Sequence, residues 1–280
     1  MSSRPKPRTS SRSILMAAVL CAALFVVPPA VEAAFEREWP DAASAGLCSD
    51  GDWSDAVFAA EPADSGGTTA LWSLRFDAGE LFGLEALRGT GVRAARSGER
   101  LSFAFRAARL GGGPLTETAL LLSATLRTGP RAQVSIRTGL LELSGEGLRS
   151  KRACPVDVFA STQMFGSVLG RVTAANILGA RLGGEPLRQR LGLEVELPTA
   201  RARLVAGCGI ESGFEPSLHV GVEVRHGSFL ALRAGARTAP DVFSAGVGIV
   251  ASGAAPSVDL AWQWHPLLGA SAFVSLSWSR

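Results

Sequence analysis

The chain has 280 residues, with 28 Lys plus Arg against 25 Asp plus Glu, and 47% hydrophobic residues with no Tyr. Its formal charge of +3 is carried by the first 33 residues, where Arg4, Lys6, Arg8 and Arg12 outnumber Glu32. The remainder is neutral and lacks the clustered basic stripe that nucleic-acid binding requires.

Residues 1–33 read as a secretory leader. Arg4 to Arg12 form a basic start, Ile14 to Val27 a 14-residue apolar run, and Val31-Glu32-Ala33 a small-residue exit. The run is too short to anchor in a bilayer. Cys21 follows Leu20 inside that run, outside any lipoprotein cleavage context, so the expectation is general export with cleavage near Ala33. Beyond the leader no apolar stretch approaches the roughly 18 residues of a membrane helix. A membrane-embedded form of this chain must therefore be a closed barrel, the other fold that satisfies every backbone donor and acceptor internally.

From residue 69 onward the chain alternates apolar and polar positions in segments of about ten residues, the period of a strand with two different faces. Strands are expected near 70–77, 86–96, 100–109, 117–127, 131–139, 155–163, 167–178, 188–197, 200–210, 217–226, 228–237, 241–251, 256–265 and 270–278. In 217–226, Leu218, Val220, Val222 and Val224 share one face and His219, Gly221, Glu223 and Arg225 the other. The nine prolines after residue 63 fall in breaks or at strand starts, as a residue that cannot donate to a ladder should. Tight breaks at Ser97-Gly98, Thr128-Gly129, Pro198-Thr199 and Gly227 alternate with longer ones at 110–116, 140–154, 178–187 and 211–216. Outer-membrane barrels alternate short periplasmic turns and longer outer loops in this way.

The fold class expected is all-β, an antiparallel transmembrane β-barrel of about fourteen strands. The alternative is a secreted, soluble, periplasmic β-rich binding protein built as a sandwich, which would bury its apolar face and use fewer, shorter strands. In the barrel the apolar phase contacts outer-membrane lipid, and Trp72, Phe76, Phe103, Phe105, Trp262, Trp264 and Trp278 lie on it. The polar phase carries Arg75, Arg93, Arg106, Glu117, Arg137, Glu194, Glu196, Arg201, Arg203, Glu223, Arg225, Arg233 and Asp259 as lumen-facing polar candidates. Cross-strand pairing would neutralise them, since an unpaired charge in a packed interior is costly. A lumen arginine that binds a planar anion is the functional alternative.

His219, His226 and His265 lack metal-ligand spacing, and no serine stands in a nucleophile motif. No enzyme activity, metal or cofactor is expected. Of the three cysteines after the leader, Cys208 shares the apolar phase with Leu204 and Ile210, which leaves Cys48 and Cys154 as the pair for a disulfide.

Several segments resemble the PorV/PorQ-type outer-membrane proteins, relatives of the FadL-like barrels. They are LALRAGART at 230–238, FSAGVGI at 243–249, VDLAWQWHPLLGASAFVSLSW at 258–278 with its His265-to-Gly269 turn, Asn176 with Leu178, Gly179 and Gly183-Gly184, and RLGLEVEL at 190–197. The resemblance implies a fourteen-stranded barrel over 69–280 and an N-terminal plug or hatch over 34–68. Ala43 to Leu47, Asp50 to Ala56 and Ala60 to Ala63 stand where the family has its hatch motifs. It also implies passage or binding of hydrophobic small molecules, or an accessory role in type IX-like protein secretion with secretion-system proteins as partners.

Overall fold

The computed structural model describes residues 42–48, 71–112, 114–129, 131–249 and 256–279. The leader, and the expected plug apart from 42–48, lie outside the described residues. No helix among the described residues is long and apolar enough to cross a membrane.

A short helix, α1 (Ala42–Gly46), is followed by β1 (Leu71–Glu80), a 3₁₀ turn (Glu85–Leu87), β2 (Arg88–Ser97), β3 (Leu101–Leu110), β4 (Leu115–Gly129) and β5 (Ala132–Gly145). Next come β6 (Leu148–Ala153), β7 (Val156–Gln163), β8 (Leu169–Ala175), β9 (Arg181–Leu182), β10 (Glu185–Pro186) and β11 (Arg190–Pro198). The chain finishes with β12 (Ala202–Glu211), β13 (Ser217–His226), β14 (Leu230–Arg237), β15 (Val242–Ile249), β16 (Ser257–His265) and β17 (Gly269–Ser279).

Each barrel strand pairs with its neighbours in sequence, antiparallel throughout, and β1 pairs with β17 from Ser73↔Ser279 to Glu80↔Ala272, closing the sheet. The closed ring contains fourteen strands: β1 to β5, β7, β8 and β11 to β17. Closure removes both sheet edges, which no lipid environment could satisfy.

The alternation read in the sequence is the wall's two faces. Leu122, Ile136, Val195, Leu204, Val220, Leu232, Phe243, Trp262 and Trp278 are exposed on the outside, and the seven aromatics assigned to the apolar phase are exposed with them. Arg96 is an outward charge near a strand end, and its guanidinium sits 5.4 Å from the Trp72 ring centroid. That contact lets a long side chain shelter its stem while its head reaches the interface. This is a transmembrane β-barrel.

Two parts depart from the sequence-based expectation. Residues 140–154, expected to be an open break, are ordered. β4 and β5 run 15 and 14 residues, and β5 continues past its last pairing with β7 at Thr138↔Val156 to pair with β6. Five of the six residues of β6 are exposed, so it carries no alternation, and Arg149, Ser150, Lys151 and Arg152 read like a loop. Between β8 and β11 the small hairpin β9–β10 packs over this extension through Leu182, Leu187 and Ala153. Arg201 lies in the β11–β12 turn and is exposed, because β12 begins at Ala202, two residues later than the alternation suggested.

Candidate functional site

Inward side chains form linked ion pairs around the lumen. On one side, Arg137 is fully buried (0% exposed) and donates from Nε and Nη2 to Asp157 Oδ2 at 2.9 and 2.6 Å. Its guanidinium carbon also lies 4.8 Å from the Phe159 ring centroid. The other Asp157 oxygen accepts the Asn176 backbone N–H at 2.7 Å. Asn176, in the left-handed region at φ 50°, receives the Ala180 N–H on its Oδ1 at 2.8 Å and donates to the Leu187 carbonyl at 2.8 Å. The Asn-Leu-Gly element noted in the sequence thus fastens the β8–β11 loop to the lumen pair.

Across β8 to β13, Arg171 bridges Glu194 at 2.7 Å and Glu196 at 2.5 Å, Arg203 joins Glu196 at 2.8 Å, and His219 Nε2 lies 3.2 Å from Glu194. Farther round, Glu223 takes Arg225 at 2.8 Å and Arg233 at 2.7 Å, and Arg233 reaches Asp259 at 2.5 Å. Some of these pairs skip a strand. Gly207 lies in register between Glu194 and His219, and a Cβ there would sit 2.5 Å from the imidazole Cε1. Gly248 on β15 likewise clears the way between Arg233 and Asp259. Sharing each buried charge with a partner offsets the desolvation that a lone charge would suffer.

Of the lumen candidates, Arg93, Arg106, Arg137, Glu194, Glu196, Glu223 and Asp259 are buried on the inner face, and Arg233 is nearly so. Arg75 lies opposite Arg93 in register and is half-buried; Glu117 is half-buried near the start of β4; Arg203 is partly exposed. Arg225 stands near the end of β13 with its side chain mostly exposed. Asp77, Arg171 and Thr173 belong to the same buried set and were missing from the candidates, although each lies on the inward phase of its strand.

α1 lies inside the barrel against β14 to β17, where Ala42 and Ala45 pack on Ala261 and Phe273, with Leu81 and Leu110 beside them. Small residues let the helix approach the wall. The Ala42 N–H donates to Ser275 Oγ at 2.9 Å, and Ser275 in turn donates to Asp77 at 2.6 Å. Gln263 donates to the Ala45 carbonyl at 3.1 Å and Ser244 to the Gly46 carbonyl at 2.8 Å. Leu47 and Cys48 then rest on bare backbone: a Cβ on Gly235 would lie 2.5 Å from the Leu47 oxygen, and one on Gly221 would collide with the same carbonyl.

This placement corrects the disulfide expectation. Cys48 and Cys154 are free thiols. Cys48 is buried, with its Sγ 3.1 Å from Ser244 Oγ on β15. Cys154 is exposed beside β7, six strand pairings away around the wall.

No protein-family profile and no curated protein matches the sequence. Among solved structures, the chain is similar to the TodX deltaS2S3 mutant monoaromatic hydrocarbon channel, at a TM-score of 0.59 and 8% identity over 88% of this chain and 99% of that one. A Pseudomonas aeruginosa FadL homologue matches at 0.53 and 10% identity, covering 91% and 99%. The CymD monoaromatic hydrocarbon channel matches at 0.52 and 11% identity, covering 75% and 87%. At such identities the likeness is one of fold.

Proposed function

We propose that this chain is an outer-membrane channel that binds and passes hydrophobic small molecules, exported by residues 1–33 and carrying a plug in residues 34–68. The observation that carries the reading is the apolar strip inside an otherwise ion-paired lumen. Leu81 and Leu110, at the strand ends beside the β1–β2 and β3–β4 loops, lead to Phe273 and Ala261 alongside α1. α1 covers Phe273 and Ala261 while it is seated, so the strip becomes an apolar path for solutes when that segment moves aside. Support also comes from the fold shared with two monoaromatic hydrocarbon channels and a FadL homologue. The lumen arginines and carboxylates act as the frame that holds the strip and the α1 seat in place. The secretion-accessory role implied by the PorV resemblance has no such support.

The test is uptake of radiolabelled p-xylene by Gram-negative cells with an intact lipopolysaccharide layer, with and without this chain. Expression should raise the initial rate several-fold, and the protein should fractionate with the outer membrane, run faster unboiled than boiled, and begin near Ala34. Outer-membrane protein with no gain in uptake would overturn the channel reading.

A further inference from the structure

We propose that the periplasmic rim of the wall from β1 to β5 binds the phosphate of an anionic phospholipid, of the phosphatidylglycerol class, in the inner leaflet of the outer membrane. The periplasmic end is the one where β1 begins, β17 finishes and the turns are tight, while the longer loops and the β5–β6 extension stand at the other. The two ends differ in charge. Across the opposite loops, 80–88, 109–117, 142–154, 176–190, 211–217 and 237–242, acidic and basic residues are equal in number. The periplasmic ends of β2 to β5 carry Arg96, Arg100, Arg127 and Arg131, and Glu99 is the one acid in 96–101 and 127–132.

Register fixes this rim against the bilayer. On the outer face Trp72, Arg96 and Phe103 lie side by side on β1, β2 and β3, and the two aromatics are 57% and 54% exposed. An outward arginine between two lipid-facing rings marks the level where hydrocarbon gives way to headgroups, because such a charge is costly at the midplane and nearly free near the interface. The last lipid-facing pair of β3 and β4 is Leu101↔Leu126, both exposed. Arg100 precedes Leu101 and Arg127 follows Leu126, so the next residue along each strand lies in the headgroup layer.

The Arg127 N–H donates to the Arg100 carbonyl at 2.8 Å, which sets these two arginines opposite each other. Like charges so placed destabilise a sheet, and an anion beside them offsets that. Arg100 and Arg131 are exposed and form no ion pair among the described residues, and Arg127, half-buried on the inner side of the same rim, adds its field. Arg131, just past the tight β4–β5 turn, stands two strand spacings from Arg100, about 10 Å. Arg96, Arg100 and Arg131 therefore offer three exposed guanidinium forks, the group that matches phosphate oxygens bidentately, to one short arc of headgroups. Phosphatidylglycerol brings a phosphate and a neutral glycerol, whereas phosphatidylethanolamine brings an ammonium that the same arginines repel. Binding at this rim ties the stability of the barrel to the anionic lipid of that leaflet, whatever the channel passes.

The experiment is native mass spectrometry of the full chain, purified and delipidated in detergent, titrated with phosphatidylglycerol, phosphatidylethanolamine and lipid A. An arginine beside an anionic headgroup is worth about fivefold in affinity, so three give a phosphatidylglycerol preference over phosphatidylethanolamine on the order of a hundredfold. Combining Arg96→Gln, Arg100→Gln and Arg131→Gln should bring that ratio close to one, and the corresponding lysine triple, which keeps the charge, should retain most of it. Arg149→Gln with Lys151→Gln and Arg181→Gln removes as much charge from the opposite end and should leave the ratio unchanged; heat-modifiable mobility confirms that each variant is folded. Equal affinities for the two phospholipids, an unchanged ratio in the rim triple, or an equal fall in the opposite-end triple would each overturn the site. Loss of lipid A binding in the rim triple would place this end in the outer leaflet and overturn it as well. Displacement of phosphatidylglycerol by inorganic phosphate at equal concentration would assign the rim to the free anion. A preference that emerges only when Asp50→Asn, Asp52→Asn, Asp55→Asn, Glu61→Gln and Asp64→Asn are combined would assign it to the chain's own acidic segment.

Discussion

Gly235→Ala tests whether residues 42–48 are seated as a plug. The new Cβ would lie 2.5 Å from the Leu47 oxygen, 2.6 Å from its carbonyl carbon and 2.9 Å from the Cys48 nitrogen. All three are backbone atoms, so the strain cannot be relieved by turning a side chain, and overpacking of this kind costs about 1–3 kcal/mol. Against it stand the burial of Leu47, 2% exposed and worth about 2 kcal/mol, and the hydrogen bonds of Ala42 N–H to Ser275, Gln263 to Ala45, Ser244 to Gly46 and Cys48 to Ser244, worth about 1 kcal/mol each. The plug should therefore stay seated in most molecules but open more often, by roughly fivefold to a hundredfold at 1.4 kcal/mol per decade. Cys48 reports the opening, because its thiol is buried and hydrogen-bonded to Ser244 when the segment is seated. With Cys154→Ser and Cys208→Ala as background, maleimide labelling of Cys48 should accelerate by that factor in Gly235→Ala, and further when Gly221→Ala is added. Gly129→Ala, where a Cβ meets nothing within 4 Å, is the control. Equal labelling rates in Gly235→Ala, Gly129→Ala and the parent would refute the seat.

Other consequences concern the wall and its charges. Val220→Arg, on the outward face of β13 at 56% exposure, should destabilise the folded barrel by about 2–4 kcal/mol if that position meets hydrocarbon, read as a lower urea midpoint for loss of heat-modifiable mobility. Asp157→Asn should cost about 3–5 kcal/mol by removing the carboxylate that faces the buried Arg137 charge, and the double variant Arg137→Met with Asp157→Asn, which keeps an acceptor for the Asn176 N–H, should recover most of that loss in the same titration. Glu142 stands clear of the barrel on the β5–β6 extension, and hydrogen bonds from Ser150 and then Arg152 hold its carboxyl below the ordinary value of 4.5. Its contribution to the hairpin is present above pH 4.5 and is lost as pH falls through the lower folded value. Amide exchange of 148–152 should accelerate over that acid window, and Glu142→Gln should remove the pH step.

The fourteen strands were legible because alternation is local: each residue of β13 or β16 shows its face through its own hydrophobicity, whatever the partner strand. The turn at His265 was readable for the same reason, and the imidazole Nδ1 accepts the Leu267 and Leu268 N–H groups at 3.1 Å to close it. β6 escaped because consecutive residues on both of its faces are exposed, which imposes no period. Arg171 and Asp77 were visible by phase, but no local signal distinguished them from other inward positions. By itself, then, the sequence determined the strand number, the two faces and the charge types of the lumen. Only the tertiary structure decided that Gly207 lets His219 reach Glu194, that Gly221 and Gly235 receive Leu47, and that Cys48 and Cys154 face different parts of the wall. Those contacts join residues 25 to nearly 200 positions apart, and their pairing follows from barrel closure and register, which no stretch of ten residues encodes.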